Sequence, residues 1–507
     1  VVETEDEGTV VLVLNGVDIA CSTSAPIYVV NAEKTVITLA DGSENFVTDG
    51  DSYVLADPES DEPSAAIFSN DDLTINGSGS LTVDANYNNG IASKDDLKIT
   101  GGELHVNAVN DGLKGKDSIA VKDGVITVSA GGDGMQSSNE EDADKGYISI
   151  EGGSLSITAG LDGVQAETQL VVSGGDLTIS SGGGSVNSSS NGGGLWDDRG
   201  MSDDSGSAES AKGLKAGVDL TITGGSIHID SSDDALHSNG SLTIEGGEIV
   251  LASGDDGVHA DSTLEIYGGN LAITQSYEGL ESAIVTIHDG TIHLVSSDDG
   301  INVAGGNDGS SINGRPGQNS FSASGNFGLY IHGGTIAIDA GGDGLDSNGS
   351  ITMTDGVVLV NGPTNDGNGA LDYMGTFDIT GGYLVAVGSS GMAEAPSESS
   401  TQYSVMYNFT AQQAAGTIVH IEAQDGTEIL TFAAAKAYRS VVLSSPELEN
   451  GSTYVVYTGG SSTGTASDGL YAGGTYSGGT EVASLTISGM VTRAGVSGGG
   501  FRGRAGG

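Results

Sequence analysis

The sequence predicts an all-β chain wound as a right-handed parallel β-helix, a solenoid with rungs of about 22 residues and a small C-terminal β region. Two glycine series and a two-residue alternation carry that expectation. One series runs through Gly90, Gly112, Gly134, Gly163, Gly213, Gly257, Gly279, Gly300 and Gly344, and the other through Gly102, Gly124, Gly153, Gly175, Gly225, Gly247, Gly269, Gly290, Gly334 and Gly356. Between these turns apolar and polar residues alternate, as in Leu97-Lys98-Ile99 and Leu242-Thr243-Ile244, which sends one set inward and the other to solvent. A crossover between parallel strands of one sheet is right-handed almost without exception, which sets the expected hand.

Residues 1–66 lack the full beat but hold strand patterns at Val10 to Leu14 and Thr35 to Leu39, read as irregular first rungs that cap the core. Regular rungs are expected over 67–388, interrupted by Ser/Gly/Asp-rich insertions at 187–209, which carries the single Trp196, and at 305–325. After Gly388 the register dissolves. Longer strand patterns at Val405 to Asn408, Ile418 to Glu422, Val441 to Leu443 and Tyr454 to Tyr457 place a β cap or appended sheet in 389–495. The stretch 496–507 has too few apolar groups to order itself and reads as a flexible glycine-rich tail.

Composition narrows the partners. Sixteen Lys and Arg face 69 Asp and Glu, a net charge of −53, so nucleic acid and anionic membranes are repelled and cations attracted. A single cysteine, Cys21, excludes an internal disulfide framework and is expected to be a small buried residue. No apolar run is long enough for a membrane span and no basic-then-apolar leader precedes Val1, as expected of a mature secreted chain, though a cytoplasmic chain would look the same; the low lysine content leans toward the former.

An acid often precedes the recurrent glycine: Asp111, Asp133, Asp162, Asp256, Asp299 and Asp343, with neighbours Asp255 and Asp298 and the offset pair Asp233 and Asp234. Stacked rungs would place these carboxylates roughly 4.8 Å apart along one corner, where each pair repels. Calcium, which accepts many oxygen ligands in adaptable geometry, is the expected counter-ion. The alternative is that each Asp hydrogen-bonds its own turn. The loop Asn139, Glu140, Glu141, Asp142, Asp144 is a second candidate cation site. The nine-residue beat of the haemolysin-type calcium coil is absent.

Two residues past each recurrent glycine stands a variable ladder: Ala92, Lys114, Gln136, Gln165, Lys215, His237, His259, Glu281, Asn302, Asp346. The intervening apolar residue should face inward and turn this ladder outward. Lys94, Lys116 and Lys212 lie beside it, so these lysines with Gln136, Gln165, His237 and His259 are the candidate carbohydrate contacts: ammoniums for carboxylates, amides and imidazoles for hydroxyls. The lysines could equally serve only to neutralise the acid corner. His105, His228 and His293 are rungs apart and make no single metal site. Tyr87, Tyr147, Tyr267, Tyr277, Tyr330 and Trp196 are sugar-stacking candidates without a distinguishing spacing.

The segments Ala66-Ile67-Phe68-Ser69-Asn70-Asp71-Asp72-Leu73, Asn89-Gly90-Ile91-Ala92-Ser93-Lys94-Asp95-Asp96-Leu97, Asp111-Gly112-Leu113-Lys114-Gly115-Lys116-Asp117-Ser118 and Lys212-Gly213-Leu214-Lys215-Ala216 resemble a bacterial family of secreted carbohydrate-binding β-helix proteins. The resemblance implies a right-handed parallel β-helix carrying calcium, an acidic plant-wall polysaccharide such as polygalacturonate as ligand, and a secreted or cell-surface location. Gly451-Ser452-Thr453-Tyr454-Val455-Val456-Tyr457 is similar to the family's ending. It does not map a sugar site residue by residue.

Pectate-lyase chemistry would need a base beside the metal. Arg199 and Arg315 lie in insertions and the rungs carry no arginine; Lys114 or Lys215 could substitute in principle, but a non-catalytic binder is favoured over a lyase. With 69 acids, pairs at glycosidase spacing arise by default and carry no signal. A surface adhesin or structural spacer is the third class.

Overall fold

The computed structural model describes residues 1–5, 8–55, 62–188, 211–304 and 326–496. Most of both expected insertions, with Trp196, Arg199 and Arg315, and the tail from 497 lie outside the described residues. Contacts divide the described residues into two compact units, one within 1–261 and the other within 262–496. That division falls within the repeat, away from the expected boundaries near 66 and 388. The described residues are β-strands and turns with one short 3-10 segment, Ser185–Asn187. No helix among them is long and apolar enough to cross a membrane.

In the first unit three parallel ladders interleave, each strand pairing with the strand one rung later. One ladder runs Ala65–Ser69, Asn89–Ser93, Leu113–Gly115, Met135–Ser137, Val164–Ala166, Leu214–Ala216 and Leu236–Ser238. Its inward apolar residues Ile91, Leu113, Met135, Val164, Leu214 and Leu236 stack in register with no solvent exposure. Each such side chain contributes roughly 1.5–3 kcal/mol on leaving water, and only a neighbouring rung can cover it. The Cα register follows the sequence beat, Ile91 on Leu113 and Leu113 on Met135.

The two glycine series have different causes. Gly124, of the first turn, holds φ +125°, a left-handed conformation that side chains rarely adopt. Gly112, of the second turn, needs no such angle; a Cβ there would lie 2.3 Å from Val128 Cγ1 and 2.7 Å from the Gly134 carbonyl oxygen. One series supplies a turn and the other admits the next rung.

The first 66 residues share this register instead of forming irregular rungs. Thr9–Leu14 pairs in parallel with Lys34–Leu39, and that strand pairs with Asp72–Gly77. Val11 and Val13 on Thr9–Leu14 are 56% and 60% exposed. Cys21 is half-buried and free, more open than expected.

In the second unit a parallel ladder runs through Thr291–Ser296, Thr335–Ala340, Val357–Asn361 and Tyr383–Gly388. Tyr383–Gly388 then pairs antiparallel with Tyr438–Ser444, which pairs antiparallel with Ser404–Gln413. A separate six-stranded sheet contains Ile418–Ala423, Glu428–Ala433, Thr453–Ser462 and Tyr476–Thr486. One core joins the two, from Leu359 and Val385 through Phe409 and Tyr438 to Phe432 and Val456. The C-terminal β region is therefore distinct in topology while sharing apolar contacts with the last rungs.

Candidate functional site

The acid corner of the first unit is a hydrogen-bonded ladder. Asp111 Oδ1 accepts the Asp133 backbone N–H at 3.2 Å, Asp133 Oδ1 that of Asp162 at 3.0 Å, Asp162 Oδ1 that of Lys212 at 2.7 Å, and Asp234 Oδ1 that of Asp256 at 3.0 Å. Each carboxylate thus satisfies a turn one rung on, not its own. The other oxygen serves the variable ladder: Lys114 Nζ, three residues on, reaches Asp111 Oδ2 at 2.9 Å, Gln136 Nε2, three residues on, donates to Asp133 Oδ2 at 2.6 Å, and Lys215 Nζ, from the following rung, reaches Asp162 Oδ2 at 2.9 Å. His237 Nδ1 and His259 Nδ1 lie 2.8 and 3.2 Å from Asp234 and Asp256. The variable ladder and the acid ladder are one network. Carboxylates about 4.8 Å apart would repel by roughly 3 kcal/mol at an effective dielectric near 20, and these charge-assisted bonds offset it.

Where a rung lacks a cation the repulsion shows. Burial, then the neighbouring Asp162 and Asp111, push the Asp133 carboxyl up to about 7. Gln136 and the Gln165 amide, whose nitrogen is oriented 3.0 Å from Asp133 Oδ2 and 3.3 Å from Asp162 Oδ2, are neutral partners only.

Lys212 corrects two expectations. It occupies the acid-ladder position and is 3% exposed, so it does not face a glycan. Its Nζ lies 2.5 Å from Asp234 Oδ2 and 3.2 Å from Asp233 Oδ2. Burial alone would raise the Asp234 carboxyl, but the Lys212 ammonium, then His237 and His259, hold it well below the usual carboxylate range. The Asp233, Asp234, Asp255 cluster, whose carboxylate oxygens lie within 4.8 Å of one another, already holds a resident cation.

His237 and His259 are also corrected: they are 4% and 1% exposed, their rings stack 4.9 Å apart, and their second nitrogens meet Asn239 and Asp261. Lys114, Gln136, Gln165 and Lys215 keep partial exposure in one uninterrupted register. Lys94 is exposed and Lys116 half-buried, on Glu62 at 2.5 Å and Glu141 at 3.8 Å. In the loop after Ser137, Asn139 Oδ1 accepts the N–H groups of Glu141 and Asp142, and its acids do not converge among the described residues.

The second unit keeps the acids, and among the described residues its acid corner carries no lysine or arginine ion pair. Its variable ladder reads Glu281, Asn302, Asp346, Asp372, with Ile301 on Leu345 and Leu345 on Leu371 behind it. Burial, then Asp343, Asp346 and Asp298, push Asp299 up to about 8. Burial is also the first cause at Asp343 and Asp346, both raised to about 7, and at Asp372. Glu278 is raised well above its ordinary value by burial, then by Glu281 and Asp299. Carboxylate oxygens of Asp343, Asp346 and Asp372 lie within 4.8 Å of one another. Asp298, beside Asp299, is half-buried. These clusters have the donor chemistry to coordinate a metal ion. Asp372 was missed in the sequence because its rung replaces the marker glycine with Ala370; the spacing from Leu345 to Leu371 was the available signal.

A family model described as carbohydrate-binding domain-containing protein matches residues 1–257. A curated relative of that description from Acetivibrio thermocellus is 55% identical over 98 residues, which are 19% of this chain and 34% of the relative, so the match spans about a third of that protein's length. A solved structure of a polysaccharide lyase-like protein from C. thermocellum, a gadolinium derivative, is similar at 46% identity over 35% of this chain and 71% of that one, with a TM-score of 0.35.

Proposed function

This chain belongs to the family of carbohydrate-binding domain-containing proteins, and we propose that it is a non-catalytic, calcium-dependent binder of an acidic, polygalacturonate-like polysaccharide, built on a right-handed parallel β-helix and working outside the cell or at its surface. The observation that carries this reading is the half-exposed ladder Lys114, Gln136, Gln165, Lys215, four polar side chains on consecutive register positions of one parallel sheet. Rungs repeat at about 4.8 Å, so the lysines three rungs apart lie roughly 14 Å from one another, near the length of three sugar residues. Ammoniums at the ends suit uronate carboxylates, and amides between them suit hydroxyls.

A chain of net charge −53 repels a polyanion, and a bridging divalent cation relieves that repulsion. Calcium is the cation of choice because the carboxylates of Asp343, Asp346 and Asp372 offer oxygen donors in a crowded, adaptable arrangement. The lyase alternative is disfavoured by the ion pairs themselves: Lys114 and Lys215 each hold the ammonium on a carboxylate at 2.9 Å, as fixed positive charges.

Calorimetric titration with oligogalacturonate, in calcium and then in chelator, tests the reading. Binding should vanish in chelator and weaken about tenfold, roughly 1.4 kcal/mol, in Lys114→Ala/Lys215→Ala. Absence of binding to any acidic glycan in calcium would instead favour the adhesin or spacer role, and unsaturated products would favour a lyase.

A further inference from the structure

From the second unit's side-chain cluster we infer a divalent-cation site formed by Asp343, Asp346 and Asp372 with the amide oxygen of Asn302. It rests on the proposed cation dependence and assigns it to residues of the second unit, outside the stretch matched by the family model.

The first observation is the contrast between the units. In the first, the buried corner carries its own cations: Lys114 on Asp111, Lys215 on Asp162 and Lys212 on Asp234. In the second, no lysine, arginine or histidine among the described residues forms an ion pair with Asp299, Asp343, Asp346 or Asp372. The backbone bonds of the ladder persist, with Asp299 Oδ1 accepting the Asp343 N–H at 2.6 Å and Asp343 Oδ1 accepting the Gly369 N–H at 2.5 Å. Those bonds orient the carboxylates without supplying a countercharge.

The second observation is independent of the acids. Asn302 is 3% exposed and its Nδ2 donates to Glu278 Oε2, one rung back, at 2.7 Å. Its Oδ1 is buried with no hydrogen-bond donor. The nitrogen end is committed to the preceding rung, and on the following rungs Asp346 is the register partner of Asn302 and Asp372 that of Asp346. A buried amide oxygen without a donor, one rung from these carboxylates, is costly. A cation satisfies it and them together.

The spacing fits the ion. Two oxygens bound to one calcium at about 2.4 Å can be no more than about 4.8 Å apart. The carboxylate oxygens of Asp343, Asp346 and Asp372 meet that limit, and all three residues are half-buried, so an ion can enter from solvent. Lys212 among Asp233 and Asp234 shows the same corner closed by an ammonium.

The test uses the full chain and calcium alone as the probe. Calcium content after dialysis and the calcium-induced rise in thermal midpoint are compared between wild type, Asp346→Asn/Asp372→Asn, and Asn302→Leu. The expected result is one calcium fewer per chain in the double variant, loss of at least half of the calcium-induced rise, and at least tenfold weaker uptake in Asn302→Leu. Calcium content and stabilisation unchanged in the double variant would overturn the site, as would wild-type uptake in Asn302→Leu. Oligogalacturonate titration of the same proteins separates the two claims: glycan binding that survives loss of this calcium leaves the polysaccharide reading standing, while calcium uptake without glycan binding retains the site and removes that reading.

Discussion

Replacing Lys212 with methionine keeps the stem's volume and removes the ammonium that lies 2.5 Å from Asp234 and 3.2 Å from Asp233. At an effective dielectric of about 20 the closer contact is worth roughly 7 kcal/mol of attraction, most of it cancelled by the cost of desolvating both ions. What the substitution exposes is the stranded carboxylate: Asp234 has no solvent exposure, and removing one partner of a buried pair costs about 3–5 kcal/mol. Asp234 keeps His237 at 2.8 Å and the Asp256 N–H at 3.0 Å, so the lower end, about 3 kcal/mol, is expected. Adding Asp234→Asn should recover most of that loss, because the charge requiring compensation is gone. Hydrogen exchange at the amides of Leu214–Ala216 and Leu236–Ser238, followed through a urea series, reads the opening free energy of these rungs. A loss below about 1 kcal/mol in Lys212→Met, or a double variant whose losses simply add, would refute the claim that Lys212 is the corner's resident cation.

Asp133 gives a pH dependence. Its folded value near 7 lies above the ordinary 3.8, so between those pH values the folded chain holds a proton that the unfolded chain releases. Its contribution therefore declines as pH rises from about 4 to about 7, by at most about 4 kcal/mol, and is constant above; Asp133→Asn should flatten that segment of a stability–pH curve. His237→Ala should cost about 2–4 kcal/mol through loss of the Asp234 bond and the His259 stack, with oligogalacturonate affinity within twofold of wild type; a selective loss of affinity would return His237 to the glycan face. Gly112→Ala should lower the denaturation midpoint by the equivalent of about 1–3 kcal/mol, because its Cβ meets Val128 and the Gly134 carbonyl, and an unperturbed midpoint would contradict the rung contact.

The ladders were legible because their causes are local and periodic: a left-handed turn at Gly124, a close rung contact at Gly112, and alternation that buries Ile91, Leu113 and Met135. The C-terminal strands were found in outline, yet their antiparallel pairing joins Leu384 to Ser444 across three intervening strands and leaves no period in the sequence. The acid corner was legible as a row of charges. Its partners were not, since the atom that closes Asp234 belongs to Lys212, 22 positions earlier, and the sequence marks it only as a lysine where other rungs carry Asp. The outward ladder was half right for a related reason. Lys114 and Lys215 retain exposure, whereas His237 and His259 fold back onto their own rung's acid, a choice made by side-chain reach and not by backbone direction.

The most direct test of the functional account is a crystal structure grown with calcium and oligogalacturonate. Uronate carboxylates should lie within hydrogen-bonding distance of Lys114 and Lys215 Nζ, with Gln136 and Gln165 on the hydroxyls between them. A saccharide bound elsewhere, with those four side chains contacting only solvent and their own rungs, would contradict it.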